Sequence, residues 1–256
     1  MTLLNDRHRA PALDSIDTAV LQAMLAADTS ESQRIAAAAR ALVPDPIEVA
    51  GYTVAGASVA LGDAGGDVFD WSTDGRTITV SVADVMGKGL PAAVLAANLR
   101  GALRARSGAE PAAAVMALEQ QIERDLVGAE SFATLFHGLL DAEAGVLDYV
   151  DAGHGIAMHI AQSGAITILR SRELPVGLFP GAVRSSRRIA IEPGDALVVA
   201  SDGLLELHDG SLATLELVAA RYRDAPDIAA FVETVVQAAR SSDPGDDVTV
   251  LVLARR

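Results

Sequence analysis

The reading of the fold starts from Thr77-Ile78-Thr79-Val80-Ser81-Val82-Ala83-Asp84-Val85-Met86-Gly87-Lys88-Gly89-Leu90-Pro91. Ile78, Val80 and Val82 alternate with Thr77, Thr79 and Ser81, the period of a strand with one buried face. Asp84 continues the apolar phase, so its carboxylate is aimed inward. An inward carboxylate at a strand end is costly unless it is paired or metal-bound. Gly87 and Gly89 loosen the backbone after it. Pro91 then suits the first turn of a helix spanning Leu90 to Arg106, with Leu95, Leu99 and Leu103 as its stripe.

Upstream, Asp74-Gly75 is a hairpin turn signal feeding this strand. Before it, Gly62 to Trp71 reads as a glycine-rich path anchored by aromatics, and Val49 to Val59 as a strand. Two short, Ala-rich helices are expected earlier. One carries Ile16, Val20, Leu21, Met24 and Leu25; the other spans Ile35–Leu42 and stops at Pro44-Asp45-Pro46, because proline cannot continue a helix. They pack on the main domain or pair with a second copy. Downstream, Pro111–Val127 is a helix with Val115, Leu118 and Ile122 as its stripe. Strands follow at Phe132–Leu140, Val146–Val150, Ile156–Ile160, Ile166–Leu169 and Val183–Ile191, with a Gly/Pro-rich loop over Leu174–Gly181. Ala196–Ala200 is a continuous apolar run, hence a central strand. Helices over Ser211–Tyr222 and Asp227–Arg240 precede a last strand, Val248–Leu253. Short turns favour antiparallel pairing. The expected fold class is α+β: a four-layer α-β-β-α sandwich of two mainly antiparallel sheets flanked by helix pairs. Residues 1–46 are an N-terminal helical segment, regulatory or dimerising, and 47–256 the main domain.

Composition narrows the function. Net charge is −14, which disfavours nucleic acid and anionic membranes, since both call for Lys/Arg clusters. The absence of cysteine excludes disulfides, thiolate catalysis and zinc–thiolate sites. No apolar run of about 18 residues suggests a membrane span, and Met1–Pro11 lacks the apolar core of a signal peptide. A cytoplasmic location is the default expectation.

Three acidic segments share one grammar, a buried-type strand meeting a loop at an Asp: Val82-Ala83-Asp84, Ala200-Ser201-Asp202-Gly203 and Gly245-Asp246-Asp247-Val248. A fourth, Gly65-Gly66-Asp67, places an Asp after flexible glycines. If these strands lie in adjacent sheets their ends can converge. Two carboxylates about 4 Å apart repel by about 4 kcal/mol at an effective dielectric constant of about 20, so a cluster takes up protons or binds divalent cations. Oxygen-only ligands favour Mg²⁺ or Mn²⁺ over zinc. Two such ions can lower the pKa of a bridging water and orient a phosphate oxygen, which suits phosphoester hydrolysis. Any one of these Asp residues alone reads as a turn or cap. Asp141, Asp151, Asp195 and Asp209 keep that reading.

These segments resemble the metal-dependent type 2C protein phosphatase family, and within it the bacterial SpoIIE/RsbU-like branch. The motifs are Gly65-Gly66-Asp67-Val68-Phe69-Asp70, Ala83-Asp84-Val85-Met86-Gly87-Lys88-Gly89, Phe132-Ala133-Thr134-Leu135-Phe136, Asp151-Ala152-Gly153-His154, Leu174-Pro175-Val176-Gly177, Pro193-Gly194-Asp195, Ser201-Asp202-Gly203-Leu204-Leu205-Glu206 and Asp246-Asp247-Val248-Thr249. The resemblance implies a two-metal centre. Asp84 would bridge both ions with the Val85 carbonyl as a further ligand, Asp202 and Asp246 would complete one, and Asp67 would support the other. A metal-bridging hydroxide would attack the phosphorus of phosphoserine or phosphothreonine directly, with Asp84, Asp202 and Asp246 as the catalytic set. The implied substrate is a phosphorylated anti-sigma-factor antagonist in a bacterial partner-switching pathway of stress-response sigma-factor regulation. An upstream sensor or activator protein and a homodimer through the N-terminal helices are the other implied partners. Lys88 and Gly87 form a lip that either meets the substrate phosphate or is plain solvated loop. Asp70 and Asp247 either back the ligands or cap their loops, the loop role being favoured for Asp70. His154 is read as structural. Two alternatives stand beside this: a non-catalytic, metal-stabilised binding module of the same fold, and a two-metal hydrolase of small phosphoesters.

Overall fold

A computed structural model describes Arg34, Ala37, Ala38 and residues 42–256 apart from 63, 243 and 244. The first expected N-terminal helix lies outside the described residues. Of the second, Ala37 and Ala38 are helical, as is Arg34 just before it. Strands β1 (Ile47–Val49), β2 (Tyr52–Val59), β3 (Asp67–Thr73) and β4 (Thr77–Val85) lead into helices α1 (Gly89–Arg104) and α2 (Pro111–Gly128). Strands β5 (Ala133–Asp141), β6 (Val146–Ala152), β7 (Ala157–Ile160), β8 (Ile166–Ile168), β9 (Arg187–Ala190) and β10 (Ala196–Ala200) follow. Helices α3 (Gly203–Glu206), α4 (Thr214–Asp224) and α5 (Ile228–Ser241) precede β11 (Val248–Arg255).

The strands form two sheets, β1-β2-β11-β10-β7-β8 and β3-β4-β5-β6-β9, with every strand pair antiparallel. Period-2 patterning explains how they stack. Phe69, Trp71, Ile78, Val80, Val82 and Phe136 of one sheet meet Leu197, Val199, Leu251 and Leu253 of the other in the gap between them. On the outer face of the first sheet, Ala83, Val85, Leu135 and Val150 receive Leu99 and Leu103 of α1 and Val115, Leu118 and Ile122 of α2. On the outer face of the second, Val198, Val250 and Val252 receive Leu215 and Val218 of α4 and Phe231 and Val235 of α5. The four layers are therefore the expected α-β-β-α sandwich.

Two segments differ from the sequence reading. Gly62–Trp71 is a loop only as far as Gly66, and β3 begins at Asp67. Phe69 and Trp71 point into the gap while Val68 packs under α1, so the aromatics belong to a regular strand. The strand expected over Val183–Ile191 shrinks to Arg187–Ala190, because Arg184 turns inward to Glu119 and takes its backbone out of the ladder. Asp141, Asp151, Asp195 and Asp209 all accept hydrogen bonds within their turns, as read.

Candidate metal centre

The pairing register places the ends of the strands. β4 ends at Val85, β3 starts at Asp67 and β5 starts at Ala133, all at one end of the first sheet. In the second sheet β10 ends at Ala200 and β11 starts at Val248, and Ser201 N donates to Thr249 O across them. Asp67 pairs directly with Asp84. Directly opposed side chains on one face have Cβ atoms about 5 Å apart, so the two carboxylates share the gap face. Asp84 follows Ile78, Val80 and Val82 in phase, as the sequence requires, and stands where their apolar packing ends.

The electrostatics locate the remaining acids. Partial burial, then the charges of Asp202, Asp246 and Asp247, push the Asp84 carboxyl up to about 6, and Lys88 opposes them. Burial and the charge of Asp84 hold Asp67 well above the usual carboxylate range. Ser201 and Thr249 hydroxyls beside Asp67 favour its ionised form. Oδ2 of Asp67 is buried without a hydrogen-bond partner. Segments separated by most of the chain thus press like charges against one another.

Each remaining residue of the expected site has a definite place. Asp246 Oδ2 lies 3.2 Å from Lys88 Nζ, which also donates to the Gly245 carbonyl at 2.6 Å. Lys88 therefore bridges the lip and the loop before β11 rather than standing free. Asp202 is an exposed residue just before α3. Val85 N donates to Gly66 O at 3.2 Å. A Cβ on Gly66 would come within 2.4 Å of the Val85 carbonyl oxygen, so only glycine leaves that oxygen its room. Gly87 takes a φ of 119° in the turn between β4 and α1. Asp247 is a clamp: its carboxylate accepts from Leu61 N at 2.7 Å and Asp67 N at 3.4 Å, fastening the glycine loop to β11. A side chain on Gly65 would collide with that carboxylate.

Asp70 requires a correction. It neither borders the acid cluster nor caps a loop. It sits mid-strand, three residues from Asp67 and hence on the opposite face, where it accepts from Arg104 at 2.7 and 2.8 Å and from Arg100 at 3.2 Å. It ties β3 to α1. Sequence reasoning also passed over Ser201 and Thr249 as neighbours of Asp67, and Thr134, which pairs with Asp84. Thr134 meets Nδ1 of His154 at 3.1 Å. The signal was available: Ser201 continues the phase of Leu197 and Val199, and Thr249 that of Leu251 and Leu253.

The donor set is all oxygen and suits a hard divalent cation. The partnerless Oδ2 of Asp67 and the cleared Val85 carbonyl are the features such an ion would use. Among the described residues no three carboxylate or imidazole side chains are already closed into a cage.

Sandwich and acid cluster together define the class: this is the type 2C phosphatase architecture, shared with solved PP2C domains. Within it the chain belongs to the stage II sporulation protein E (SpoIIE) family, whose model matches residues 74–256. Phosphoserine phosphatase RsbU of Bacillus subtilis is 27% identical over 152 residues, covering 58% of this chain and 45% of RsbU. The crystal structure of the RsbU and RsbW domains of a Mycobacterium tuberculosis protein superposes with a TM-score of 0.72 at 29% identity, over 82% of this chain and 61% of that one. The catalytic domain of serine threonine protein phosphatase PstP, solved with two manganese ions, gives a TM-score of 0.62 at 18% identity, over 79% of this chain and 97% of that one. The chain spans less than half the length of the curated relatives it matches. Among the described residues no helix is long and apolar enough to cross a membrane.

Proposed function

We propose that this protein is a metal-dependent serine/threonine phosphoprotein phosphatase. The carrying observation is the pairing of Asp67 with Asp84 at the mouth of the inter-sheet gap, under the charges of Asp202 and Asp246. Asp84, the Val85 carbonyl, Asp202 and Asp246 would hold one or both of two Mn²⁺ or Mg²⁺ ions, and Asp67 would support the second. Bound there, such ions supply an activated water and neutralise a phosphate dianion. The chain's own part is to hold four acids against their repulsion. Asp247 fixes the loop that carries Asp67, Ser201 and Thr249 favour the ionised form of Asp67, and β4 orients Asp84 rigidly. Lys88, on the exposed lip, would meet an incoming phosphate once released from Asp246. Residues 47–256 are the catalytic domain on this reading, and 1–46 a regulatory or dimerising segment.

A phosphorylated anti-sigma-factor antagonist in a partner-switching pathway is the substrate we favour. The likeness to RsbU and to a protein that joins RsbU and RsbW domains supports it. Asp84→Asn tests the chemistry. Losing a hydrogen-bond partner of a metal ligand costs roughly 10–100-fold, so losing the ligand itself should exceed about 100-fold in Mn²⁺-dependent turnover of a phosphoserine substrate. Full activity in that variant, with an unchanged fold by circular dichroism, sinks the assignment. Calorimetry with Mn²⁺ separates the non-catalytic reading: no binding at millimolar Mn²⁺ would favour a binding module.

A further inference from the structure

The row that begins with Asp67 and Asp84 does not stop at β4. Thr134 of β5 pairs with Asp84 on its other side. Directly opposed residues share a face, so Asp67, Asp84 and Thr134 stand side by side at the mouth of the gap. Beside Thr134 lies His154, whose Nδ1 meets the threonine hydroxyl at 3.1 Å. Thr134 is partly buried, whereas His154 is only 7% exposed. Burial holds the ring down to about 4, so it is neutral at pH 7, with one N–H and one lone pair.

The backbone fixes that ring from both sides. His154 lies on the crossover from β6 of the first sheet to β7 of the second. His154 N and Gly155 N donate to the Asp151 carboxylate at 2.9 and 3.0 Å, and Gly153 N donates to Ser171 Oγ at 2.8 Å. Gly153 bridges Leu135, the residue after Thr134. At the other end of the crossover, Ala200 N donates to Ile156 O at 3.0 Å, two residues before Asp202. The Ala200 carbonyl lies near enough to act on the imidazole. The crossover therefore ties the start of β5 to the end of β10, with the ring held between them.

An imidazole is a costly filler for that place. Its Nε2 is buried with no hydrogen-bond partner among the described residues. A buried polar atom left unpaired destabilises the fold, and a leucine of similar size would avoid the cost. The return comes at Nδ1, whose hydrogen bond goes to Thr134. A threonine hydroxyl at a partly open strand end would otherwise turn between staggered rotamers.

We propose that His154 is a positioning residue of the metal centre. It locks the Thr134 hydroxyl in one rotamer beside Asp84, and through it orients the carboxylate that would bridge the ions. The proposal rests on the phosphatase reading above.

The test is a double-mutant cycle read by Mn²⁺ calorimetry. Thr134→Val exchanges the hydroxyl for a methyl group, and His154→Leu removes Nδ1 while keeping bulk. Partners that orient a metal ligand are worth roughly 10–100-fold in affinity, so each change should weaken Mn²⁺ binding by about tenfold or more. The double variant should bind no more weakly than either single one, because both remove the same link. His154→Asn, whose amide can reach the Nδ1 position, should recover most of the loss. At saturating Mn²⁺, kcat on a phosphoserine peptide should fall in both single variants with KM unchanged. Additive losses would give His154 a packing role alone and overturn the proposal. Wild-type affinity in Thr134→Val overturns it too, as does an undiminished loss in His154→Asn. If His154→Leu does not fold, by circular dichroism, those last two variants decide. A wild type that binds no Mn²⁺ at millimolar concentration fells the phosphatase reading, and this proposal with it. Wild-type binding that every variant shares fells the proposal alone.

Discussion

Asp84 is ionised at neutral pH against its surroundings. Its carboxyl sits at about 6 rather than the ordinary 3.8, first because of burial and then because of three neighbouring acids. The folded state therefore loses stability as pH rises from about 4 through 6, where the native group must give up a proton it holds more tightly than the unfolded one. In chelator-treated protein, Asp84→Asn should raise stability at pH 7.5 by about 1–2 kcal/mol, a value reduced for the partial exposure of the group. Urea titration checks it, and a loss of stability would show that the acids do not repel. The same residue shows what the sequence makes legible: strand phase alone aims Asp84 inward. Phase would also have separated Asp70 from Asp67, since an odd offset reverses the face. The clamp by Asp247 was not readable, because it joins Leu61 to a residue far along the chain through tertiary contact.

At the scale of elements, α1 is fastened to β3 by Asp70. That carboxylate is buried, and its partners are the largely buried Arg100 and the half-exposed Arg104. Removing one member of a buried pair strands the other charge, at about 3–5 kcal/mol when both are fully buried. Exposure of Arg104 lowers the expectation for Asp70→Ala to about 2–4 kcal/mol, read from the urea midpoint. A change below about 0.5 kcal/mol would mean the pair is solvated. Helices and central strands were the readable elements, because their apolar periods are long. Leu99, Leu103, Val115, Leu118 and Ile122 are all buried. β3 was obscured by the glycines and acids at its start. The strand expected to begin at Val183 was cut short by an ion pair no local pattern announces.

Over the whole molecule, two buried histidines oppose the acids. His137, which meets Ser81 at 2.8 Å, and His154 are both held down to about 4 by burial. Their neutral forms are required by the fold, so stability falls as pH drops below about 6.5 and levels off below about 4. Each can contribute up to about 3 kcal/mol across that window. Asp67 and Asp84 act in the opposite sense there, gaining stability on protonation. His137→Gln should therefore make the decline from pH 6.5 to 4 shallower than in the wild type, followed by thermal midpoint. An unchanged slope would mean that this histidine titrates freely. The layer order was legible because four apolar faces need four partners; the sheet order was not, because it depends on which distant strand arrives between two others.

That order places β11 in the middle of its sheet, between β2 and β10. Tyr52 pairs with Arg255, so β2 waits for a neighbour synthesised nearly a full described length later. Closing so long a loop costs entropy before any contact returns it, which makes folding of this sheet slow and late. Until then β2 and β10 each present an open edge to whatever strand is nearby. Asp246 and Asp247 lie immediately before β11, so the acid cluster keeps the same timetable. On the function proposed above, a growing chain gains its activity only once β11 is inserted between β2 and β10.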